Sequence, residues 1–262
     1  TRLLLRKSAY AFLTLCFLFF SYEQISSQPN VLSVTPSAAT IYDGTVTFSI
    51  AVTFDVAMNT GVNPTVSFGT AGENPVTDGV LAATTTAWSN GDKTYTQNYS
   101  VSDINADKFN IDVDVDGGED TGGTPHGHTD ADNNFGYKMT NPTVTPTLSP
   151  NITLIDDGDA GNGTFTITID FSENMDNGVN PTVSFPTAGE DPESTPTITT
   201  FNNAWLAADQ YIIRYTVTDN DENIQDIDVR VTGAQDTYGN PVQQYDEADV
   251  FSIDMQNPAI SS

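Results

Sequence analysis

The residues of this chain best suited to chemistry are acids at alternating positions of two loops. Asp103, Asn105 and Asp107 form one set, and Asp219, Asp221 and Asn223 form its counterpart. Oxygen-bearing side chains at this spacing suit calcium, which takes six to eight hard oxygen ligands and needs the chain to curl around it. The pattern is not an EF-hand: Lys108 and Ile224 stand where its turn glycine is required, and no glutamate closes the loop. An Asx-rich turn that satisfies its own backbone is the competing reading. A further set comprises Asp112, Asp114, Asp116, Glu119 and Asp120. Alternate residues of a strand project on one face roughly 6.5 Å apart, so Asp112, Asp114 and Asp116 make a carboxylate row, either solvated or cation-binding. The matching positions later in the chain hold Asp228, Arg230 and Thr232, and Arg230 can offset its neighbour.

The only two histidines, His126 and His128, stand close to Asp130 and Asp132. This His-x-His-x-Asp spacing resembles the metal motif of metallo-β-lactamase-like hydrolases. Ala131 takes the place of that motif's next histidine, so the segment reads as a flexible polar loop with adventitious zinc or nickel binding as the alternative. Both histidines share one segment, and no Ser-His-Asp or Cys-His device is legible. The expectation is a protein that is not an enzyme. Trp88 and Trp205 each follow alanine and read as plugs of a core or edge, with a sugar-stacking platform as the alternative.

The 262 residues carry 35 acids against 8 bases, a formal charge of −27. Nucleic acid and anionic membranes bind through basic patches and are excluded as partners on this ground. Charged residues are only 16% of the chain and hydrophobic ones 37%, so the chain folds rather than solvating itself. At the amino terminus, Arg2, Arg6 and Lys7 precede an apolar run over 9–20 and a polar exit containing Glu23. This is the pattern of a secretory signal peptide over 1–28, too short to span a bilayer comfortably. Its removal would leave a charge of −29, no cysteine, since Cys16 lies in the run, and no transmembrane segment. An exported chain without disulfides must draw stability from packing, repetition or bound cations.

The remainder is one unit written twice. Residues 61–68 read GVNPTVSF, and residues 178–185 repeat it. Thr70-Ala71-Gly72-Glu73 matches Thr187-Ala188-Gly189-Glu190, Trp88 matches Trp205, and Asp120-Thr121 matches Asp236-Thr237. Met139-Thr140-Asn141-Pro142 matches Met255-Gln256-Asn257-Pro258. The expected units are 29–142 and 151–262, joined by the Thr/Pro segment 143–150. Within each, apolar residues alternate: Val46, Phe48, Ile50, Val52 and Phe54 in one row, Tyr211, Ile213, Tyr215 and Val217 in another. A period of two between Gly/Asn/Asp/Pro turns predicts strands with one wet face. The strands expected in the first unit are A 31–35, B 45–54, C 64–68, D 80–88, E 94–101, F 109–115 and G 135–139. The fold class is all-β, two tandem antiparallel β-sandwiches of about seven strands each.

The chain resembles the tandem bacterial Ig-like (Big-type) domains of adhesins, S-layer proteins and secreted enzymes. The residues that carry this are Phe171-Ser172-Glu173-Asn174-Met175-Asp176 and Asp236-Thr237-Tyr238-Gly239-Asn240-Pro241. The first unit keeps Phe54 and Met58 but has Asp55-Val56 and Gly122-Gly123 at the corresponding places. The resemblance implies a spacer or stalk that is secreted or at a bacterial cell surface, with an unknown receptor or glycan as partner. An accessory carbohydrate-binding module of a larger enzyme is the alternative. Starting at Thr1 and stopping where a third joint would begin, the chain also reads as part of a longer repeat protein. In such a sandwich the E–F loop lies at the pole where the chain leaves. Asp103 and Asp107 would then meet Asn151, Asp156, Asp157, Asp159, Asp176 and Asp236 across the joint, with Ca2+ replacing their repulsion by a rigid hinge.

Overall fold

The structure, a computed structural model, describes residues 27–145 and 147–259. The segment read as a signal peptide therefore lies largely outside the described residues. The first sandwich contains β1 (Val31–Pro36), β2 (Thr40–Tyr42), β3 (Thr47–Phe54), β4 (Pro64–Ser67), β5 (Leu81–Ser89), β6 (Thr94–Val101), β7 (Asp107–Gly117) and β8 (Thr129–Lys138). The second contains β9 (Ser149–Pro150), β10 (Leu154–Ile155), β11 (Gly161–Asp170), β12 (Thr182–Ser184), β13 (Ile198–Thr200), β14 (Ala204–Ala207), β15 (Gln210–Val217), β16 (Asn223–Thr232) and β17 (Tyr245–Asp254).

The sheets are β1-β3-β6-β5 and β2-β8-β7-β4 in the first sandwich, and β9-β11-β15-β13 and β10-β17-β16-β12 in the second, where β14 also pairs with β15. These are two tandem Ig-like β-sandwiches. Phe48, Ile50, Val52 and Phe54 of β3 point inward to meet Ile111, Val113 and Val115 of β7, and Phe165, Ile167 and Ile169 do the same against Ile227, Val229 and Val231. Each such side chain contributes roughly 1.5–3 kcal/mol on burial, which is how a cysteine-poor chain holds its sheets together. Val46, expected in the same row, precedes β3 and is 72% exposed.

Two departures from the expected strands have local causes. The first strand of each unit divides between the sheets: β1 pairs antiparallel with β3, then β2 pairs parallel with β8. The second unit repeats this with β9 on β11 and β10 on β17. Pro36 and Pro150 end the first pieces, because proline offers no N–H to continue a ladder. The final strand of the first unit begins at Thr129 rather than 135. Its early residues, Asp130 to Asn134, are polar apart from Ala131 and show no apolar alternation.

Left-handed residues recur at matching places, one in the loop before β7 or β16 and two at bulges of the last strand pair. Asn105, Asn110 and Asn133 have φ of 51°, 60° and 51°, and Asp221, Asp226 and Asp249 have 54°, 57° and 56°. Asn and Asp are the non-glycine residues that best tolerate this left-handed region. Three acids of the second unit are thus placed by backbone geometry, where the first unit uses the amide.

Candidate functional site

Both E–F loops are Asx turns. Asp103 accepts the Asn105 N–H at 2.7 Å, and Asp219 accepts that of Asp221 at 3.1 Å. Their other side chains tie down the chain as it leaves the sandwich. Asn105 accepts from the Asn141 N–H at 2.9 Å, Asp107 accepts from the N–H groups of Met139 and Thr140, and Asp221 accepts from Asn257 Nδ2 at 2.8 Å. The repeated Asn-Pro step after the last strand is therefore anchored by the E–F loop in both units.

At the joint the cation is a lysine. Lys138 Nζ lies 2.8 Å from Glu173, 3.4 Å from Asp107 and 3.8 Å from Asp236, and its side chain is only 14% exposed. The ammonium also sits 5.7 Å from the centre of the Tyr238 ring, within reach of a cation–π attraction. Burial alone would lower the Lys138 pKa, but the Glu173 hydrogen bond and the charges of Asp107 and Glu173 raise it above the usual lysine value. Asn240, fully buried, completes the junction: its Oδ1 accepts the Asp43 N–H at 3.0 Å, and its Nδ2 donates to the Lys138 carbonyl and to Asp236. Thr143 and Thr145 continue the connection by hydrogen bonding to Ser172 and Asp170.

Of the acids expected at this joint, Asp107 and Asp236 are there, but Asp156 and Asp157 are not. The parallel pairing of β10 with the end of β17 carries the chain to the opposite pole first. There Asp156 caps a 3-10 turn over Asp157–Asp159, and Asp157 faces the charges of Asp219, Asp221 and Asp254. Burial, then these neighbours, hold its pKa above the usual carboxylate value. Among the described residues none of these four acids is ion-paired. Asn151 also leaves the joint, holding Thr164 and Thr166, while Asp176 accepts from Gly178 N–H and Gln235.

The carboxylate row of β7 divides by role. Asp112 accepts from Thr70 Oγ1 at 2.9 Å and from the Asn133 N–H at 2.7 Å, and Asp228 makes the same pair of bonds with Thr187 and Asp249. Glu73 and Glu190 each accept the backbone N–H of those aspartates. The repeated Thr-Ala-Gly-Glu loop is thus a latch over β7 or β16. Asp120 and Asp236 cap their own turns, accepting from Gly122 and Thr124, and from Tyr238 and Asn240. Asp114 and Asp116 instead face His128: Asp116 Oδ1 is 2.9 Å from Nδ1, and Asp114 Oδ1 is 3.7 Å from Nε2.

The histidine segment is not a flexible polar loop. His126 is 8% exposed, edge-on to Phe54 at 5.4 Å, with Nδ1 3.0 Å from the Pro29 carbonyl oxygen. It replaces Val242, equally buried in the second unit; that repeat partner was the signal in the sequence. Asp130 and Asp132 stand on β8, and the ligand atoms of Asp114, His128 and Asp130 lie within 4.8 Å of one another, as do those of Asp112, Asp130 and Asp132. Burial and the charges of Asp132, Asp114 and Asp112 hold the Asp130 pKa up.

The tryptophans pack inward. Trp88 meets Tyr95 and Phe54, and Trp205 meets Tyr211 and Phe171, at ring separations of 5.0 to 6.3 Å. Each indole N–H donates to the asparagine of the repeated Gly-Val-Asn-Pro step, Trp88 to Asn63 at 2.8 Å and Trp205 to Asn180 at 3.1 Å. No family model matches the chain, and no curated protein matches it. Among solved structures it is similar to the zebrafish RET cadherin-like domains 1 to 4, at 11% identity and a TM-score of 0.29, over 87% of this chain and 51% of that one. The chain spans about half the length of that structure. The all-β assignment rests on the strand pairing. No helix among the described residues is long and apolar enough to cross a membrane.

Proposed function

We propose that the chain is a non-enzymatic extracellular spacer, a stalk segment that holds whatever lies beyond it at a fixed distance and angle. The observation that carries this reading is the joint: one largely buried ammonium, Lys138, is shared between carboxylates of both sandwiches, beside a fully buried Asn240 that bonds both. Such a junction resists bending because every bend separates opposite charges held away from water. The repeated motifs support the same reading, since each serves as a latch or cap within its own sandwich. The resemblance to bacterial Ig-like repeats supports a site of action on a cell surface or in a secreted protein.

Calcium bracing, expected at this joint, is replaced there by lysine in this reading. It is left for the far pole of the second sandwich, where Asp157, Asp219, Asp221 and Asp254 gather. Small-angle scattering of the chain tests the proposal. The unaltered protein should keep one elongated profile in calcium and in chelator, and Lys138→Met should broaden its distance distribution. A profile insensitive to Lys138→Met, stiffening only when calcium is added, would overturn it.

A further inference from the structure

The two sandwiches put opposite charges at one spot. In the second, Arg230 of β16 and Asp246 of β17 are paired in register and joined by a two-point ion pair, Nε to Oδ1 at 2.6 Å and Nη2 to Oδ2 at 3.0 Å. In the first, the same cross-strand positions are Asp114 of β7 and Asp130 of β8. Two like charges directly opposite on neighbouring strands repel. The guanidinium that satisfies Asp246 has no counterpart beside Asp130. Gln244, which donates to Asp246 at 3.0 Å, is replaced by His128.

We propose that the first sandwich binds a divalent transition-metal ion of the zinc class through Asp114, His128 and Asp130, in the place that Arg230 fills in the second.

Three features shape these groups into a site. Asp116 accepts from His128 Nδ1, which leaves Nε2 as the free lone pair turned toward Asp114; metal-bound histidines are commonly oriented by such a carboxylate. Asp114 is held by its other oxygen, which accepts the Gly69 N–H at 2.7 Å. A Cβ at position 69 would run into that oxygen, and the second sandwich has Pro186 there, with no N–H to give and no carboxylate to seat. Two carboxylates and one imidazole suit zinc, at bond lengths of about 2.0–2.2 Å; calcium prefers an all-oxygen shell of higher number. The donors lie within 4.8 Å of one another, His128 Nε2 and Asp114 Oδ1 at 3.7 Å, close to the roughly 3.4 Å edge of a tetrahedron at those bond lengths. Asp112 is not a ligand, because Thr70 and Asn133 occupy both its oxygens.

The test is calorimetric titration of the full chain with zinc chloride and, separately, calcium chloride. One zinc site is expected, unchanged by excess calcium and weakening as pH falls and the imidazole keeps its proton. Asp114→Arg, which installs the residue the second sandwich already uses, should abolish zinc binding while the circular dichroism spectrum stays that of the folded β-sandwich protein. Asp116→Asn should weaken zinc binding about 10- to 100-fold, through loss of orientation, and His128→Gln, which removes a ligand, by more. Zinc binding that is absent, no tighter than calcium, or indifferent to Asp114→Arg and His128→Gln would overturn the proposal and leave a solvated acidic face. None of these outcomes bears on the spacer reading, whose test is the shape of the chain.

Discussion

Lys138 Nζ stands 2.8 Å from Glu173 Oε2, a contact between the last strand of one sandwich and the segment just after β11 of the next. It makes the joint an electrostatic device rather than a slack connection. Lys138→Met should leave Asp107, Glu173 and the fully buried Asp236 facing one another without a cation. A loss of about 2 kcal/mol in the coupling between the sandwiches is expected, the size of a charged hydrogen bond removed from a largely buried site. Chemical denaturation followed by domain-specific fluorescence would show two separated transitions where the unaltered chain shows closer ones.

The pH range of this joint follows from its ends. The Lys138 pKa is raised on folding, so its contribution is complete below the usual lysine value and is lost as pH climbs through the higher folded one. For Asp107, burial pushes upward, but the N–H and hydroxyl of Thr140, the Met139 N–H and the Lys138 charge bring its pKa below normal. Its contribution is complete above the ordinary carboxylate value and is lost only as pH falls below it. The coupling should therefore be flat across the neutral range and fail at both extremes, as read by melting curves between strongly acidic and strongly alkaline buffers.

Other acids act in the opposite sense. Asp157 and Asp130 have pKa values raised first by burial and then by neighbouring aspartates. A carboxyl raised on folding weakens the fold at pH above its folded value, and the penalty is relieved as pH falls through that value toward the ordinary one. Melting temperature should therefore rise as pH falls through the raised values of these carboxyls, before the joint begins to fail. It should also rise with salt at neutral pH, because screening acts on exposed like charges. A melting temperature that falls steadily from pH 7 downward would contradict this.

Trp88→Ala should destabilise the first sandwich by about 3 kcal/mol, the lower end for loss of a large aromatic since the ring is half-buried. Asn63→Ala should cost about 1 kcal/mol through the orphaned indole N–H. Trp205 and Asn180 should behave alike in the second sandwich. Glycan-array signals, if the chain gives any, should not change in these variants beyond what unfolding explains.

Asp112→Ala should cost about 2 kcal/mol, because it frees the Thr70 hydroxyl and the Asn133 N–H together. It should leave zinc titration unchanged. A variant with normal stability and lost zinc binding would reverse the roles assigned to Asp112 and Asp114.

The sheets are legible because strand B, its repeat and the repeat of strand E carry an uninterrupted period of two, and because each unit supports the reading of the other. The joint is not. The partners of Lys138 lie on three separate segments, and a single lysine gives no periodic signal. Its exchange for Asp254 at the matching place was the one clue. Asp156 and Asp157 lie at the far pole, against expectation, because β10, only two residues long, carries too little pattern to reveal that it crosses the sandwich. The carboxylate row was visible as an alternation on strand F. His128, just before β8, and Asp130, on its polar first part, complete it where no hydrophobic pattern marks the chain.

The division of the first strand has a mechanical side. β2 runs parallel to β8, and β10 parallel to β17, so tension applied between the two ends of a sandwich drags the two members of each pair in opposite directions along their length. Hydrogen bonds loaded in shear must give way together, whereas bonds peeled from one end fail singly. The parallel patch spans three residue pairs in the first sandwich and two in the second. Pulled from both ends, the second sandwich should yield first and serve as the fuse of the pair.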